Sequence, residues 1–317
     1  MAEKLEIKKA KLPFHFDENG KVAIDLGPRP GTLTKFLLSL SKVLHRPLNL
    51  HNFEAAVLRL RADNRAHVPF WTKLSVAYGQ KVEFDSRLLE SIPKNGPLLI
   101  ASNHPLNGVE GIAIAAMISQ VRPDVLVVMT PFLDSVPGMA KNAIYMSPDG
   151  GRDSVALNRQ ARHELALALK SGKCVVMFPS GQVSLKKKLS DKEVFDSVWK
   201  PTVAKILSEA KESKVLLIFV DGQSSRYFQM AKKLEELVPS KFKGLRMAIN
   251  IPMHVREIGS HFDKAVKLII GPVLSAEKLL SLSNADLAHT LRTATYDLKN
   301  STQPSAQTQP FLWQERD

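Results

Sequence analysis

The chain has 317 residues, 44% of them hydrophobic and 24% charged, enough for one large or two small globular domains without staples. A single cysteine, Cys174, excludes an internal disulfide framework, and its place in the apolar run 174–178 reads as a small buried hydrophobe rather than a reactive thiol. Lys and Arg number 44 against 31 Asp and Glu, and the net charge of +13 draws anionic partners: nucleic acid, anionic lipid headgroups or an acidic carrier protein.

Residues 1–31 carry no strong period and read as an irregular N-terminal arm, basic at the start but without the apolar core of a signal peptide. Residues 32–46 are amphipathic, with Phe36, Leu37, Leu40, Val43 and Leu44 on one helical face. A second helix is predicted from Asn52, as N-cap, to about Ala66, and a short third one over Phe70, Trp71, Leu74 and Tyr78.

From residue 81 short apolar runs alternate with helical stretches. Strands are predicted at 81–84, 97–101, 125–129, 143–147, 173–178, 214–220, 245–251 and 265–270. Helices are predicted at 109–120, 153–171, 198–212 and 224–237, with further helix over 275–299 and a polar tail beyond 301. Buried strands alternating with helices define an α/β fold with a central, mostly parallel sheet flanked by helices. None of the apolar runs reaches the roughly 18–20 residues that cross a bilayer. The expectation is a cytoplasmic protein whose contact with a membrane is peripheral, on its inner face.

In such sheets chemistry gathers just beyond the carboxyl ends of the strands. After strand 97–101 comes Asn103-His104-Pro105-Leu106-Asn107-Gly108-Val109-Glu110-Gly111, a histidine at a strand exit, a turn, and a carboxylate at a helix N-terminus. The turn can return Glu110 to the His104 ring, fixing its tautomer and stabilising its imidazolium. That is a base and its orienter. The same residues alone also fit a loop cap and a helix cap. After strand 173–178, Pro179-Ser180-Gly181 makes a tight exit whose N–H groups can face an anion or oxyanion, followed by Lys186-Lys187-Lys188. A strand-end turn and a solvated basic loop is the plainer reading. Asp221-Gly222 turns into Ser224-Ser225-Arg226, where Arg226 can hold an anion or a surface salt bridge. Arg152 at the entry to helix 153–171 suits an anionic group, with Asp153 as an ordinary N-cap. No His/Cys/Asp cluster has metal-ligand spacing, and no metal is expected.

These blocks resemble the lysophospholipid and glycerolipid acyltransferase superfamily, whose first block is Asn-His-x4-Asp. The acid here is Glu110, one place later. The likeness is nearer to the bacterial hemolysin-like and ornithine-lipid acyltransferases, in Asn103–Gly111, Phe178–Ser184 and Asp221–Arg226, spread in order over about residues 70–275. The resemblance implies acyl transfer from a thioester on acyl carrier protein or coenzyme A to a lipid hydroxyl, with no bound cofactor. It implies His104 as general base, Glu110 as orienter, and oxyanion or thioester contacts from Gly181 and Ser180. Asn103, Arg152, Lys186 and Arg226 would meet the acceptor or its anion. Residues 32–80 would be the helical membrane-facing segment, 81–300 the acyltransferase domain and 301–317 a flexible tail. Ser180 and Val183 stand where the wider family has the Glu and Arg of Phe-Pro-Glu-Gly-Thr-Arg-Ser. That arginine is linked to an acceptor phosphate, so its absence puts a glycerol-phosphate acceptor in doubt. Two other classes compete: a non-catalytic binder of anionic membranes on the same fold, and a nucleic-acid binder suggested by charge alone.

Overall fold

A computed structural model describes residues 15–23, 47–147, 152–239 and 242–300. The predicted helix 32–46 and the tail beyond 300 lie outside the described residues. Within the N-terminal arm, β1 (His15–Phe16) and β2 (Val22–Ala23) pair as a short antiparallel ladder. Phe16 stacks on Phe53, with ring centroids 5.3 Å apart, which ties this hairpin to α1 (Leu50–Ala62). The helix starts two residues before Asn52, capped at Asn49 in the left-handed region. α2 (Phe70–Ala77) follows and anchors through the Trp71 indole N–H, which donates to the Val125 carbonyl.

The sheet contains β3 (Lys81–Glu83), β4 (Leu98–Ser102), β5 (Val125–Met129), β6 (Ala143–Tyr145), β7 (Cys174–Met177), β8 (Lys214–Asp221) and β9 (Ala265–Ser275). Their order is β3-β9-β8-β4-β7-β5-β6, parallel throughout except between β8 and β9. β4 is in the middle and every one of its residues is buried. Alternation along the central strands divides the core in two. Leu98, Ile100, Val176, Leu216 and Ile218 face α3 (Val109–Ile118) and α2, whereas Leu99, Ala101, Val175, Val215 and Leu217 face the opposite layer. That layer comprises α4 (Arg152–Lys170), α5 (Thr202–Glu209) and α9 (Asn284–Asp297). α6 (Arg226–Leu237), α7 (Lys243–Ser260) and the short α8 (Ala276–Leu279) complete the helices.

One predicted strand is wrong. Residues 245–251 lie inside α7, with Pro252 in the helix interior. Apolar residues at 245, 247, 249 and 251 imitate a strand's period. The longer register of Met253, Glu257 and His261, all buried and spaced by four, carries the helical pattern instead.

Candidate active site

β4 delivers Asn103 and His104 to its carboxyl end. The Asn103 amide continues the β4–β8 ladder past the strand: Nδ2 donates to the Val220 carbonyl at 3.0 Å, and Oδ1 accepts the Val220 N–H at 2.7 Å. The amide oxygen and one of the two amide N–H groups of this buried side chain are therefore engaged by the Val220 backbone, which ties the strand exit to β8.

The chain then reverses through two consecutive left-handed residues, Asn107 with φ 60° and Gly108 with φ 98°. A glycine is the residue that adopts this backbone without strain. The reversal absorbs the extra residue and the extra methylene that separate Glu110 from the family's usual aspartate. Glu110, wholly buried in the first turn of α3, places Oε1 2.8 Å from His104 Nδ1. Oε1 also accepts the Leu106 N–H, and Oε2 accepts the Gly108 N–H at 2.8 Å. A carboxylate with these donors takes the Nδ1 proton as a hydrogen bond, which leaves Nε2 of a neutral ring as the base. The ring stacks on Phe178, centroids 4.4 Å apart, and keeps 17% of its side-chain surface open.

Burial pulls the His104 pKa down, but the charge and hydrogen bond of Glu110, with the charge of Asp196, hold it above the ordinary imidazole value. Burial pushes the Glu110 carboxyl up. The His104 charge and hydrogen bond and the backbone donors outweigh it, holding that carboxyl below its usual range.

The exit of β7 forms the other wall. Gly181, with φ 65°, closes a turn by donating its N–H to the Phe178 carbonyl at 2.9 Å. The buried Ser180 hydroxyl donates to the Gln182 carbonyl. The Gly181 N–H, one of the exit groups expected to face an anion, is thus engaged by the tight turn itself, and Ser180 Oγ is turned into its own loop. Among the described residues, the N–H groups of Ser180 and Val183 have no acceptor within the protein. Beyond the turn, the Ser184 N–H donates to the His104 carbonyl at 2.8 Å, closing the loop over the histidine.

Sequence reasoning missed Asp196. Leu185 and Phe195 exchange backbone hydrogen bonds, each 3.0 Å, so the loop folds back on itself and carries Asp196 to the histidine. Its Oδ1 accepts the His104 backbone N–H at 3.1 Å and the Ser184 hydroxyl, while Oδ2 accepts the Trp199 indole N–H at 2.7 Å. His254, three residues beyond the run 245–251 that was read as a strand, was missed as well. Its ring bonds the Asn107 Oδ1, and the Asn107 amide donates back to the His254 carbonyl, so α7 braces the reversal at residue 107. Burial lowers the His254 pKa to about 3, helped by the charges of Lys232 and His104, so this ring stays neutral.

The predicted anion contacts are only partly brought together. The Lys186 N–H donates to Gln229 Oε1, which sets Lys186 beside α6, whose first residue is the exposed Arg226. Ser225 caps that helix, accepting the Phe228 N–H. The Arg152 side chain lies outside the described residues. No group of three His, Cys, Asp or Glu side chains among the described residues is placed to hold a metal ion. Cys174 is buried in β7 and its thiol pKa is pushed up to about 12, so it stays a thiol.

The geometry is that of a histidine held through Nδ1 by a buried carboxylate at the exit of a central parallel strand. The chain belongs to the acyltransferase family, which it matches over residues 67–305, a span holding His104, Glu110, Asp196 and His254. It is similar to a lyso-glycine lipid O-acyltransferase of Phocaeicola vulgatus, 25% identical over 194 residues. That match covers 61% of this chain and 66% of the relative, so the chain spans slightly under two thirds of that protein's length. It is also similar to the crystal structure of a 1-acyl-sn-glycerophosphate acyltransferase of Thermotoga maritima, 13% identical with a TM-score of 0.45, over 84% of this chain and 92% of that one.

Proposed function

We propose that the protein moves a fatty acyl group from an acyl thioester, on acyl carrier protein or coenzyme A, to a hydroxyl of a lysolipid at an anionic membrane surface. The observation that carries the reading is the 2.8 Å pairing of His104 Nδ1 with Glu110. It leaves Nε2 to accept a proton from a hydroxyl. The hydroxyl oxygen attacks the thioester carbonyl carbon as its proton passes to Nε2. The tetrahedral oxyanion is met by N–H groups of the 178–184 exit, of which those of Ser180 and Val183 remain unspent. The carbon–sulfur bond then breaks, and the imidazolium returns the proton to the departing thiolate. No acyl-enzyme forms.

The acceptor class follows from Val183. With no arginine there, the 178–184 loop offers no side-chain cation at that position for a phosphate. The Phocaeicola vulgatus relative is a lyso-glycine lipid O-acyltransferase. A lysolipid with an amino-acid headgroup, of the glycine or ornithine kind, is therefore favoured over 1-acylglycerol phosphate. Lys200, whose Nζ lies against Gly181, together with Lys186 and Arg226, supplies cations for a carboxylate on such a headgroup. The protein would work on the cytoplasmic face of the membrane. Among the described residues no helix is long and apolar enough to cross it.

The test is acyl transfer by purified protein from acyl carrier protein and coenzyme A thioesters to lyso-glycine lipid, lyso-ornithine lipid and 1-acylglycerol phosphate. Acylation of an amino-acid lysolipid that disappears in a folded His104→Ala variant is the expected result. Full turnover by that variant overturns the base assignment, and exclusive use of the phosphate acceptor overturns the acceptor class.

A further inference from the structure

α6 is built inside out. Its inward face buries Phe228, Gln229 and Glu235, two of the three polar. Gln229 donates to Ser224 Oγ and to the Ser184 carbonyl, and Lys232 pairs with Glu235. Its outward face carries Tyr227, Met230, Leu234 and Leu237, exposed by 54, 52, 55 and 79%. These four fall within about 80° of the helix at ~100° per residue. Phe242, just past the helix, is exposed as well. Five of the thirteen exposed large apolar residues among those described thus sit in one sixteen-residue stretch. A helix of a protein in water puts its apolar stripe toward the core. This one turns it away.

We infer that the outer face of α6 is the surface by which the protein docks on an anionic lipid bilayer. Charge identifies the occupant. Residues 226–246 carry six Lys and Arg against Glu235 and Glu236 alone, an excess of four positive charges that remains although Lys232 turns inward onto Glu235 and Lys233 and Arg246 pair with Glu236 and Glu235, and the Lys186–Lys188 run adjoins through Gln229. An apolar stripe in a basic rim is the pattern of an interfacial helix, whose apolar face enters the headgroup boundary while the cations meet lipid phosphates. A second copy of this chain would bring the same positive rim to the contact and be repelled. Tyr227 has the amphipathic ring suited to that boundary, with the Arg256 guanidinium 4.2 Å from its centroid. Position supports the same occupant: Gln229 holds Ser184, and Ser184 holds His104, so the docking helix roofs the loop over the base. An acceptor lifted from the bilayer would have only that loop to pass. This inference rests on the lipid-acceptor reading and adds a membrane-facing element to the expected one at residues 32–80.

The experiment is co-sedimentation of the full chain with vesicles of phosphatidylcholine alone and of phosphatidylcholine mixed with phosphatidylglycerol. The variants are Met230→Glu with Leu234→Glu, and, as a control, Val155→Glu with Leu167→Glu, equally exposed on α4. Circular dichroism melts report folding. Binding should require phosphatidylglycerol, fall about tenfold or more in the α6 variant, and persist in the control and in His104→Ala. Equal loss in both glutamate variants, or no loss in the α6 variant, overturns the inference. So does a wild-type dimer that the α6 variant renders monomeric without vesicle binding. Turnover is not the readout, so a failed acyl-transfer assay beside intact, α6-dependent binding would sink the proposed activity and leave the docking surface standing.

Discussion

The carboxylate of Asp196 accepts the backbone N–H of His104 at 3.1 Å, ninety-two residues away in sequence, and the same oxygen accepts the Ser184 hydroxyl. Asp196 does not touch the imidazole. It fixes the peptide from which the imidazole projects, and its charge helps to hold the His104 pKa up. The backbone carbonyl of the same histidine is fixed by Ser184. Between them the two residues clamp both sides of the His104 peptide.

Asp196 is therefore a positioning residue. In Asp196→Asn the new amide nitrogen, if placed at Oδ2, confronts the Trp199 indole N–H, donor against donor; if flipped, it confronts the His104 N–H and the Ser184 hydroxyl. kcat should fall about tenfold or more, the cost of a small misplacement of the base. KM for the acceptor should change little, and the acid limb of the pH profile should move down as one raising charge is lost. A fall in stability with kcat per folded molecule and pH profile unchanged would reduce Asp196 to a packing role.

The His104–Glu110 pair predicts a pH dependence with a definite sign. The base must be neutral, and its pKa lies above 6.5, so kcat/KM should rise with pH through an apparent pKa above that value. In Glu110→Gln the largest raising cause is gone and burial acts almost alone, so the acid limb should move below 6.5 while the maximal rate falls. Stability follows from linkage. Glu110, with its pKa lowered in the fold, contributes stability above the unfolded value near 4.5 that is lost as pH falls through the folded one. His104, with its pKa raised, contributes below 6.5 and loses that contribution as pH rises through its folded value. The difference in unfolding free energy between wild type and Glu110→Gln should thus be greatest between those two values, as read by denaturant titrations across pH.

Asn103 tests a structural assignment. Asn103→Ala removes both bonds to Val220 and leaves that buried N–H and carbonyl without the side chain that served them. A loss of about 2–4 kcal/mol is expected, taking about 1–2 for each orphaned group. Chemical denaturation measures it. A near-neutral substitution that instead raised KM for an anionic acceptor would restore Asn103 to the binding role expected from sequence.

The parts of this site written in one segment were legible in the sequence. Asn103 to Glu110 are contiguous, and a histidine after an apolar strand followed by Asn-Gly and a carboxylate expresses its geometry locally. The sheet was legible for the same reason, since its strands are short continuous apolar runs. What escaped depends on chain reversals that composition does not announce. Asp196 reaches His104 only because Leu185 and Phe195 pair across a polar loop, and no period marks that bridge. His254 follows a coincidence of alternation at 245–251, where the helical register becomes visible only downstream. At Gly181 the expected turn is present, and its own hydrogen bond engages the Gly181 N–H, a pairing that residue types alone do not announce.

Gly108 offers the most exact test of how the reversal serves the base. Its φ of 98° lies where a side chain is strained, yet a Cβ built there meets nothing within 4 Å. The cost of Gly108→Ala is therefore backbone strain rather than collision, about 1–2 kcal/mol. The Gly108 N–H also donates to Glu110 Oε2, so relaxation of the strain pulls on the carboxylate that orients His104. Gly108→Ala should lower the melting temperature and kcat together. Gly108→Asn should lower both less, because asparagine visits the left-handed region more readily than alanine. A greater loss in Gly108→Asn than in Gly108→Ala would show that side-chain bulk, not backbone conformation, is what position 108 excludes.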